Sequence, residues 1–401
     1  MKLYNHQTKL INEGPRYHLL AHEVGSGKSA TAIRLAEKNA DRTLVVCPKS
    51  LTENWERELK KWAKNPRKFV VITKEWFRKN WQNYATWKFD GIIIDEAHFF
   101  SGYKSEMHKN AIKYLHAVMP NCVYLLTGTP YLSTPYNIMC YEKLLGRDAN
   151  WKQYTDRYFY EFRLGSQTIY KPHANAPIMM AQIIDKIGST VKKEDCLDLP
   201  PKIYKREDFT FTKDQKKAIK ELENDPRMTS HIVFWTKSHQ ICGGTLKYDD
   251  KKFKKISCEK SNRLLQYAKL YDKMVVVCRY NHELNMLHSM LDGSRILNGA
   301  TTNKQSLLDS ANEEKKFILL VNAAVSEGYN LTGMDLMVFY SNGFSFKDRT
   351  QIEGRIHRIG QKNTCVYVDF VCKDKEITID DDVLKSLKRK EDFQIEIYKS
   401  K

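Results

Sequence analysis

The chain has 401 residues, and its 66 Lys and Arg against 48 Asp and Glu give a formal net charge of +18 at neutral pH. The length and a hydrophobic content of 42 % suit two globular domains, and the lack of any apolar run of about 18 residues argues against a membrane span. The polar N-terminus and nine scattered cysteines without zinc-ligand spacing predict a cytoplasmic protein with reduced thiols, in the host cytoplasm if the chain is viral. The positive surplus favours a polyanionic partner.

Short apolar runs alternate with helical patterns over the first 130 residues. Between the runs, residues 50–62 place Leu51, Trp55, Leu59 and Trp62 at helical spacing. Buried strands that alternate with helices predict a parallel sheet covered on both faces. The predicted strands are 18–21, 43–47, 69–73, 91–95 and 123–126.

The pattern then changes and later returns. Residues 131–200 show no clear strand, which predicts a helical elaboration ending in a linker near 199–202. Helical patterns fill 212–270, apart from a lysine-rich stretch at 243–260 that we expect to be an exposed loop. The sequence therefore predicts two α/β domains, 1–200 and 201–401. The strands predicted in the second domain are 274–278, 295–297, 317–321, 336–340 and 364–370.

A glycine-rich turn, Gly25-Ser26-Gly27-Lys28-Ser29, lies between the first strand and a helical pattern. Such a turn presents backbone N–H groups and a helix N-terminus to phosphates. Lys28 would then reach the β- and γ-phosphates, and Ser29 would bind Mg²⁺. The usual first glycine is replaced by His22, so the match is to the shortened pattern, and the alternative is a chance Gly/Ser turn.

A second motif, Asp95-Glu96-Ala97-His98, directly follows the strand at 91–95. The carboxyl end of a parallel strand is where an open α/β sheet exposes functional side chains. Asp95 would hold Mg²⁺ and Glu96 would polarise an attacking water. The alternative is a pair of acids that cap a helix, which does not explain their position about 70 residues after Lys28.

These motifs resemble the superfamily 2 helicases, and within them the SWI/SNF-type DNA translocases. The resemblance covers nearly the whole chain and includes a very close match at 351–361 (QIEGRIHRIGQ). The further matching segments are His6-Gln7, 45–62, 70–80, 126–130, the Leu-Pro-Pro-Lys linker in 191–202, 327–332 with Asp335, and the tail ITIDDDVLKSLKRK.

The resemblance implies two tandem RecA-like domains with a cleft between them and a small helical insertion. It implies ATP and Mg²⁺ as ligands, with Gln7 reading the adenine and Gly25, Ser26, Gly27, Lys28 and Ser29 holding the phosphates. Ser50, Asn54, Thr127 and Thr332 become candidate contacts to nucleic-acid phosphates.

Arg355 and Arg358 stand three residues apart, so a helix would place both on one face. By resemblance they act as arginine fingers that neutralise charge on the γ-phosphate, and the alternative is a solvated basic helix end. The chain departs from the family at His22, where Asp is usual, and at Ser326-Glu327, where paired glycines are usual. It is also short for the family and shows no histone-reading domain, so nucleosome remodelling is not expected.

The resemblance implies an ATPase that translocates on or remodels double-stranded or branched DNA in replication, recombination or repair. Replication or recombination proteins are candidate partners, and we expect a monomer without membrane contact. Three other readings stay open: a DEAH-type RNA helicase, a non-hydrolysing DNA-binding module switched by ATP, and the motor of a restriction or recombination machine. For the lysine-rich segment 247–256, a solvated loop is favoured over a DNA contact.

Overall fold

The computed structural model describes residues 3–399 except 131–135, 165–166, 193–194, 197, 229, 249–252 and 326–328. The chain divides into two compact units, one of Met1–Asp198 with Lys390–Lys401 and one of Leu199–Arg389. Each unit is built on a six-stranded sheet. None of the helices within the described ranges combines the length and the apolar character that a membrane crossing requires.

The sheet of the first unit has the strand order β3-β2-β4-β5-β1-β8, and every pairing in it is parallel. Its strands are β1 (Tyr17–His22), β2 (Thr43–Cys47), β3 (Phe69–Thr73), β4 (Gly91–Ile94), β5 (Cys122–Leu126) and β8 (Gly188–Val191). The five strands predicted before residue 130 are confirmed. Because β1 and β4 both border β5, the loops that follow these two strands emerge side by side at one edge.

Successive residues of each strand point to opposite faces of this sheet. Leu19 and Ile92 lie in one buried cluster, whereas Leu20 and Ile93 lie in another on the opposite face. Helices cover both faces, which confirms the predicted α/β class. The helices of the unit are α1 (Asn5–Glu13), α2 (Lys28–Asn39), α3 (Thr52–Trp62), α4 (Lys74–Thr86), α5 (Glu106–Val118), α6 (Tyr136–Leu144), α7 (Trp151–Tyr158) and α8 (Ala176–Ile187).

The prediction that 131–200 contains no strand is wrong. Between α7 and α8 the chain forms an antiparallel hairpin of β6 (Phe159–Leu164) and β7 (Gln167–Pro172), and after α8 it adds β8 to the sheet. Tyr160 and Phe162, which alternate before Gly165-Ser166, and Tyr170 after it are a hairpin signal in the sequence. In contrast, β8 has only four residues and no apolar run, so its position depends on pairing with β1.

The second unit has a sheet of order β13-β14-β12-β15-β16-β9, again with parallel pairings. The predicted strands of this unit are confirmed, and β9 is a further strand that the sequence pattern did not predict. It lies at the sheet edge and is mostly exposed, so its sequence KIYKREDFT carries no apolar run. The strands are β9 (Lys202–Thr210), β12 (Lys273–Cys278), β13 (Arg295–Leu297), β14 (Phe317–Asn322), β15 (Leu336–Phe339) and β16 (Cys365–Lys373).

The lysine-rich segment 243–260 is not simply a loop. It forms a second antiparallel hairpin, β10 (Thr245–Lys247) with β11 (Phe253–Lys255), in which Leu246 is buried. Residues 249–252 of this segment lie outside the described residues. The helices of the unit are α9 (Lys213–Glu223), α10 (His231–Cys242), α11 (Glu259–Leu270), α12 (Asn281–His288), α13 (Lys304–Glu313) and α14 (Phe346–Ile356), and α15 (Ile379–Lys399) follows β16.

A buried ionic group ties the start of α15 to the second unit. The Lys260 ammonium, which has no exposed surface, donates to Asp380 Oδ2 at 2.5 Å and to the Tyr340 carbonyl at 2.9 Å. His239 Nε2 lies 3.0 Å from Asp380 Oδ1. Burial alone would raise the pKa of Asp380, but Lys260 and His239 outweigh it and hold that pKa at about 2.

Replacing Asp380 with asparagine is expected to lower the free energy of unfolding by about 3–5 kcal/mol, because it leaves a buried ammonium without a counter-charge. Urea denaturation of the full chain measures this change. Glu221→Gln is the control, since it removes the exposed partner of Lys254 and should cost less than about 1 kcal/mol. Equal costs for the two variants would contradict a stabilising role of the buried pair.

Candidate active site

The loop between β1 and α2 has the backbone of a phosphate-binding turn. Gly25 and Gly27 have φ values of 92° and 85°, in the left-handed region that favours glycine, and Gly27 caps the N-terminus of α2. A β-carbon at Gly27 would lie only 2.4 Å from Gln7 Nε2. Ser26 is buried, and its hydroxyl donates to the Glu23 carbonyl. The left-handed backbone and the short distance from a β-carbon to Gln7 therefore both favour glycine at residue 27.

Lys28 is the first residue of α2 and is half-buried. Its Nζ donates to the carbonyls of His22 at 2.7 Å and of Glu23 at 3.0 Å. Burial lowers the pKa of the ammonium, while Glu96, Asp95 and Glu23 raise it. The structure thus brings Lys28 into electrostatic reach of the two acids predicted to act with it.

Gln7 connects α1 to this loop. Its side chain is buried, its Nε2 donates to the Gly27 carbonyl at 2.9 Å and to Thr31 Oγ1 at 3.2 Å, and its Oε1 accepts from the Tyr4 amide. The amide group therefore braces the phosphate-binding turn from behind. Its role in reading adenine, implied by the family resemblance, stays a prediction.

The acidic turn, Asp95 and Glu96, follows the last residue of β4. Asp95 accepts a hydrogen bond from Trp55 Nε1 at 2.7 Å and one from the Glu96 amide at 2.9 Å. Burial, and then the neighbouring Glu96, raise the pKa of Asp95 well above its usual range, against the effects of Trp55 and Lys28. Trp55 was not predicted as a site residue, although it stands in the 45–62 motif.

Glu96 has an unusual backbone for a non-glycine residue, with φ 49° and ψ 51°. Its Oε2 lies 3.0 Å from Nδ1 of the buried His98. Residues that hold such conformations cost free energy and cluster at functional sites. Glu96 is one of three non-glycine residues with positive φ among the described residues, with Lys88 and Met119, and its catalytic role stays a prediction.

The oxygen donors near this turn suit Mg²⁺. Ser29 lies in the first turn of α2, and the combination of a hydroxyl and a carboxylate is typical of magnesium bound together with substrate phosphates. Within the described ranges, no cluster of three or more His, Cys, Asp or Glu side chains could hold a metal ion by itself. A divalent cation at Asp95 would offset the burial cost that raises the pKa of this carboxyl group.

The candidate nucleic-acid contacts differ in exposure. Ser50 is exposed, while Asn54 on α3 and Thr332 in the second unit are half-buried. Thr127 is fully buried, and its Oγ1 accepts from the Thr129 amide at 3.1 Å. In this arrangement the Thr127 hydroxyl has no exposed surface, and its contact with a nucleic-acid phosphate stays a prediction.

Arg355 and Arg358 converge in the second unit, but not by helical periodicity. Helix α14 ends at Ile356, so Arg358 lies beyond it and the expected shared helix face is wrong. Instead, one Nη of each arginine donates to the Tyr329 carbonyl, at 3.2 Å from Arg355 and 3.3 Å from Arg358. The Arg355 guanidinium also lies 5.3 Å from the centre of the Tyr329 ring. The two guanidinium groups therefore lie close together, beside the same carbonyl oxygen.

His22, the departure from the family motif, is buried and points away from the phosphate-binding turn. Its Nε2 lies 2.8 Å from the Ser189 hydroxyl on β8, and His18 Nε2 lies 2.9 Å from the same oxygen. Burial lowers the pKa of His18 to about 4. The side chain of His22 thus helps join β1 to β8, while its carbonyl receives Lys28. The Ser326-Glu327 departure lies outside the described residues.

Two family models match this chain, the SNF2-related domain at residues 9–75 and the helicase conserved C-terminal domain at residues 259–360. Among curated relatives, the protein CHROMATIN REMODELING 19 of Arabidopsis thaliana is 22 % identical over 95 % of this chain and 66 % of its own length. An uncharacterized ATP-dependent helicase of Mycoplasma genitalium is 22 % identical over 94 % and 40 %. A probable global transactivator of Orgyia pseudotsugata multicapsid polyhedrosis virus is 22 % identical over 90 % and 83 %.

A solved structure, the Sulfolobus solfataricus SWI2/SNF2 ATPase core in complex with dsDNA, aligns with a TM-score of 0.44 and 17 % identity over 98 % of this chain and 95 % of its own. The chain spans 66 % and 40 % of the lengths of the first two curated relatives. The SNF2-related match lies in the first parallel-sheet unit and the helicase C-terminal match lies in the second. The chain is therefore similar to SNF2-related helicases, in agreement with its motifs.

Proposed function

We propose that this chain hydrolyses ATP and uses the energy to translocate on or remodel double-stranded or branched DNA. The observation that carries the proposal is the grouping in one unit of Lys28, half-buried at a helix N-terminus, with the acidic turn. Its ammonium donates to two carbonyl oxygens, and charged phosphate oxygens in their place would be stronger acceptors. The names of the relatives, an ATP-dependent helicase and a chromatin remodelling protein, agree with this activity.

In this proposal each residue has a separate task. The N–H groups at the start of α2 and Lys28 hold the phosphates, and Glu96 orients the attacking water. Mg²⁺ held by Ser29 and Asp95 would supply neutralisation of phosphate charge. By the family resemblance, Arg355 and Arg358 would neutralise charge on the γ-phosphate, and because ATP and its hydrolysis products then bind with different strength, nucleotide turnover can drive motion.

For nucleic acid, we propose that Ser50, Asn54 and Thr332 contact the phosphate backbone and that the surplus of positive charge adds sequence-independent attraction. Binding should then weaken steeply as salt is raised. We further propose a cytoplasmic monomer that acts in replication, recombination or repair. The neighbouring genes would test the proposed process, and the oligomeric state measured in solution would test the proposed monomer.

Phosphate release measured with duplex DNA, branched DNA, single-stranded DNA and RNA tests the activity. Lys28→Ala is expected to lower ATP hydrolysis by at least about 100-fold, since a lost charge-assisted contact in a buried site costs several kcal/mol. Binding to duplex DNA without nucleotide should stay within about twofold of wild type. Strongest stimulation by RNA would instead favour the RNA helicase.

Lys38→Ala is the matched control for that experiment. Lys38 lies in the last turn of the same helix, and its Nζ also donates to backbone carbonyls, those of Ile11 and Asn12. It is remote from the phosphate-binding turn, so its loss should leave hydrolysis nearly unchanged. Full hydrolysis by Lys28→Ala would remove this loop as the ATP site.

A further inference from the structure

The β6–β7 hairpin of the first unit has two different faces. Cross-strand neighbours share a face, so Tyr160 lies with Lys171, and Glu161 lies with Tyr170. Phe159 and Tyr170 are on the face that packs on the unit, whereas Phe162 is on the face of Tyr160. The hairpin thus presents a separate face, defined here as the aromatic face: Tyr160, Phe162 and Lys171.

The root of the hairpin is fixed by stacked rings. Tyr136 stacks on Trp151 at 3.9 Å and on Phe159 at 4.3 Å, and Trp151 stacks on Tyr103 at 4.7 Å. Tyr170 meets Tyr136 edge-on at 6.4 Å. Each such pair contributes about 0.5–1.5 kcal/mol beyond its buried area, so the hairpin is held rigidly where it leaves the unit.

The aromatic face itself is open to solvent. Tyr160 is 55 % exposed and Phe162 is 48 % exposed, and the centres of their rings are 6.4 Å apart. Lys171 Nζ lies 5.3 Å from the centre of the Phe162 ring, and His173 stacks on Tyr160 at 4.0 Å. A single exposed ring is common on protein surfaces, but two neighbouring rings with a cation on a rigid ribbon are the arrangement that binds nucleobases.

The charge around the aromatic face indicates which kind of ligand it binds. Residues 151–192, which include the hairpin and its flanking helices, contain six Lys and Arg against three Asp and Glu. Rings stack on the flat faces of bases, and the cations attract the phosphates between them. In a duplex the flat face of each base is covered by the adjacent base pairs. Only an unpaired strand therefore has base faces on which Tyr160 and Phe162 can stack.

The hairpin root is also joined to the acidic turn. Asn137, next to Tyr136 on α6, donates to Ser101 Oγ at 2.8 Å, and Ser101 donates to the His98 carbonyl at 2.7 Å. His98 in turn lies 3.0 Å from Glu96. These contacts place α6, against which the hairpin packs, next to the acidic turn that carries the residue proposed to orient water.

We propose that the aromatic face binds unpaired bases and thereby makes the hairpin the element that engages the single-stranded part of a branched DNA. This rests on the proposed function for its biological setting, since it names which part of the DNA the unit holds. The binding step itself needs no ATP hydrolysis, so the two proposals can fail separately.

The test compares the affinity of the full chain for fluorescent oligothymidylate, oligouridylate and blunt duplex DNA, without nucleotide. The double variant Tyr160→Ala with Phe162→Ala is expected to bind oligothymidylate about tenfold or more weakly, and duplex within about twofold of wild type. An equal loss on oligouridylate assigns the face to unpaired bases of either sugar, and a loss confined to oligothymidylate assigns it to DNA.

Two controls keep the outcome decisive. Exchanging the rings, Tyr160→Phe with Phe162→Tyr, retains two aromatic faces and should retain affinity. Trp87→Ala removes another exposed ring of the same unit, 47 % exposed, at the opposite end of the sheet, and should have little effect. Unchanged oligothymidylate binding by the alanine double variant, or an equal loss on duplex, would overturn the proposal.

DNA-stimulated ATP hydrolysis separates this proposal from the function on which it rests. If wild type shows no stimulation, the proposed function fails while the binding assay still decides the role of the hairpin. If the alanine double variant keeps its duplex-stimulated rate and its thermal unfolding midpoint, its weaker binding of single strands cannot come from misfolding.

Discussion

Arg358→Ala is expected to lower the turnover number of ATP hydrolysis by about 10³-fold or more while the affinity for ATP changes little. One Nη of Arg358 donates to the Tyr329 carbonyl, which also accepts from Arg355. An anionic γ-phosphate would be a stronger partner for a guanidinium group than this neutral carbonyl oxygen is. The lost contact is therefore one made mainly in the transition state, which lowers turnover rather than binding.

Steady-state phosphate release with saturating DNA, together with the affinity for a fluorescent ATP analogue, measures the two effects separately. Lys362→Ala is the control, because it removes a positive charge from an exposed residue just beyond the same motif. Arg358→Lys should recover little activity, since an ammonium lacks the planar pair of donors. An unchanged turnover number in Arg358→Ala would exclude this residue as an arginine finger.

Glu96→Gln is expected to slow hydrolysis by about 10²–10⁴-fold, the usual contribution of a positioned general base. The amide keeps the size of the side chain but cannot accept a proton from water. Because glutamine can take the same left-handed backbone as glutamate, the turn should keep its shape and ATP should still bind. The measurement is single-turnover hydrolysis with ATP affinity determined in parallel.

Glu106→Gln provides the matched control for Glu96. Glu106 is an exposed glutamate of the same unit, at the start of α5. Its Oε2 lies 3.8 Å from Arg78 Nε. Its replacement should leave the rate within about twofold of wild type. Hydrolysis by Glu96→Gln at the rate of this control would mean that another group activates the water.

Strands and helices with a buried apolar pattern could be predicted from local sequence. The run Thr43–Cys47 was predicted to its observed ends, and its five residues are all buried. The elements that were missed, β8, β9 and the β6–β7 hairpin, are short, exposed or at a sheet edge. Their strand conformation depends on a neighbour distant in the sequence, and a local pattern contains no information about that neighbour.

The candidate active site also has features that the local sequence predicts and features that depend on the tertiary structure. By itself the sequence predicted which residues carry the chemistry, because Lys28, Asp95, Glu96, Arg355 and Arg358 stand in short motifs whose spacing is local. Only the tertiary structure shows which groups contact these side chains. Trp55 Nε1 donates to Asp95, and the Tyr329 carbonyl accepts from both arginines. These contacts join segments 26 to 40 residues apart. Hydrogen-bond partners at such separations follow from the packing of the sheet and its helices, which no single segment encodes.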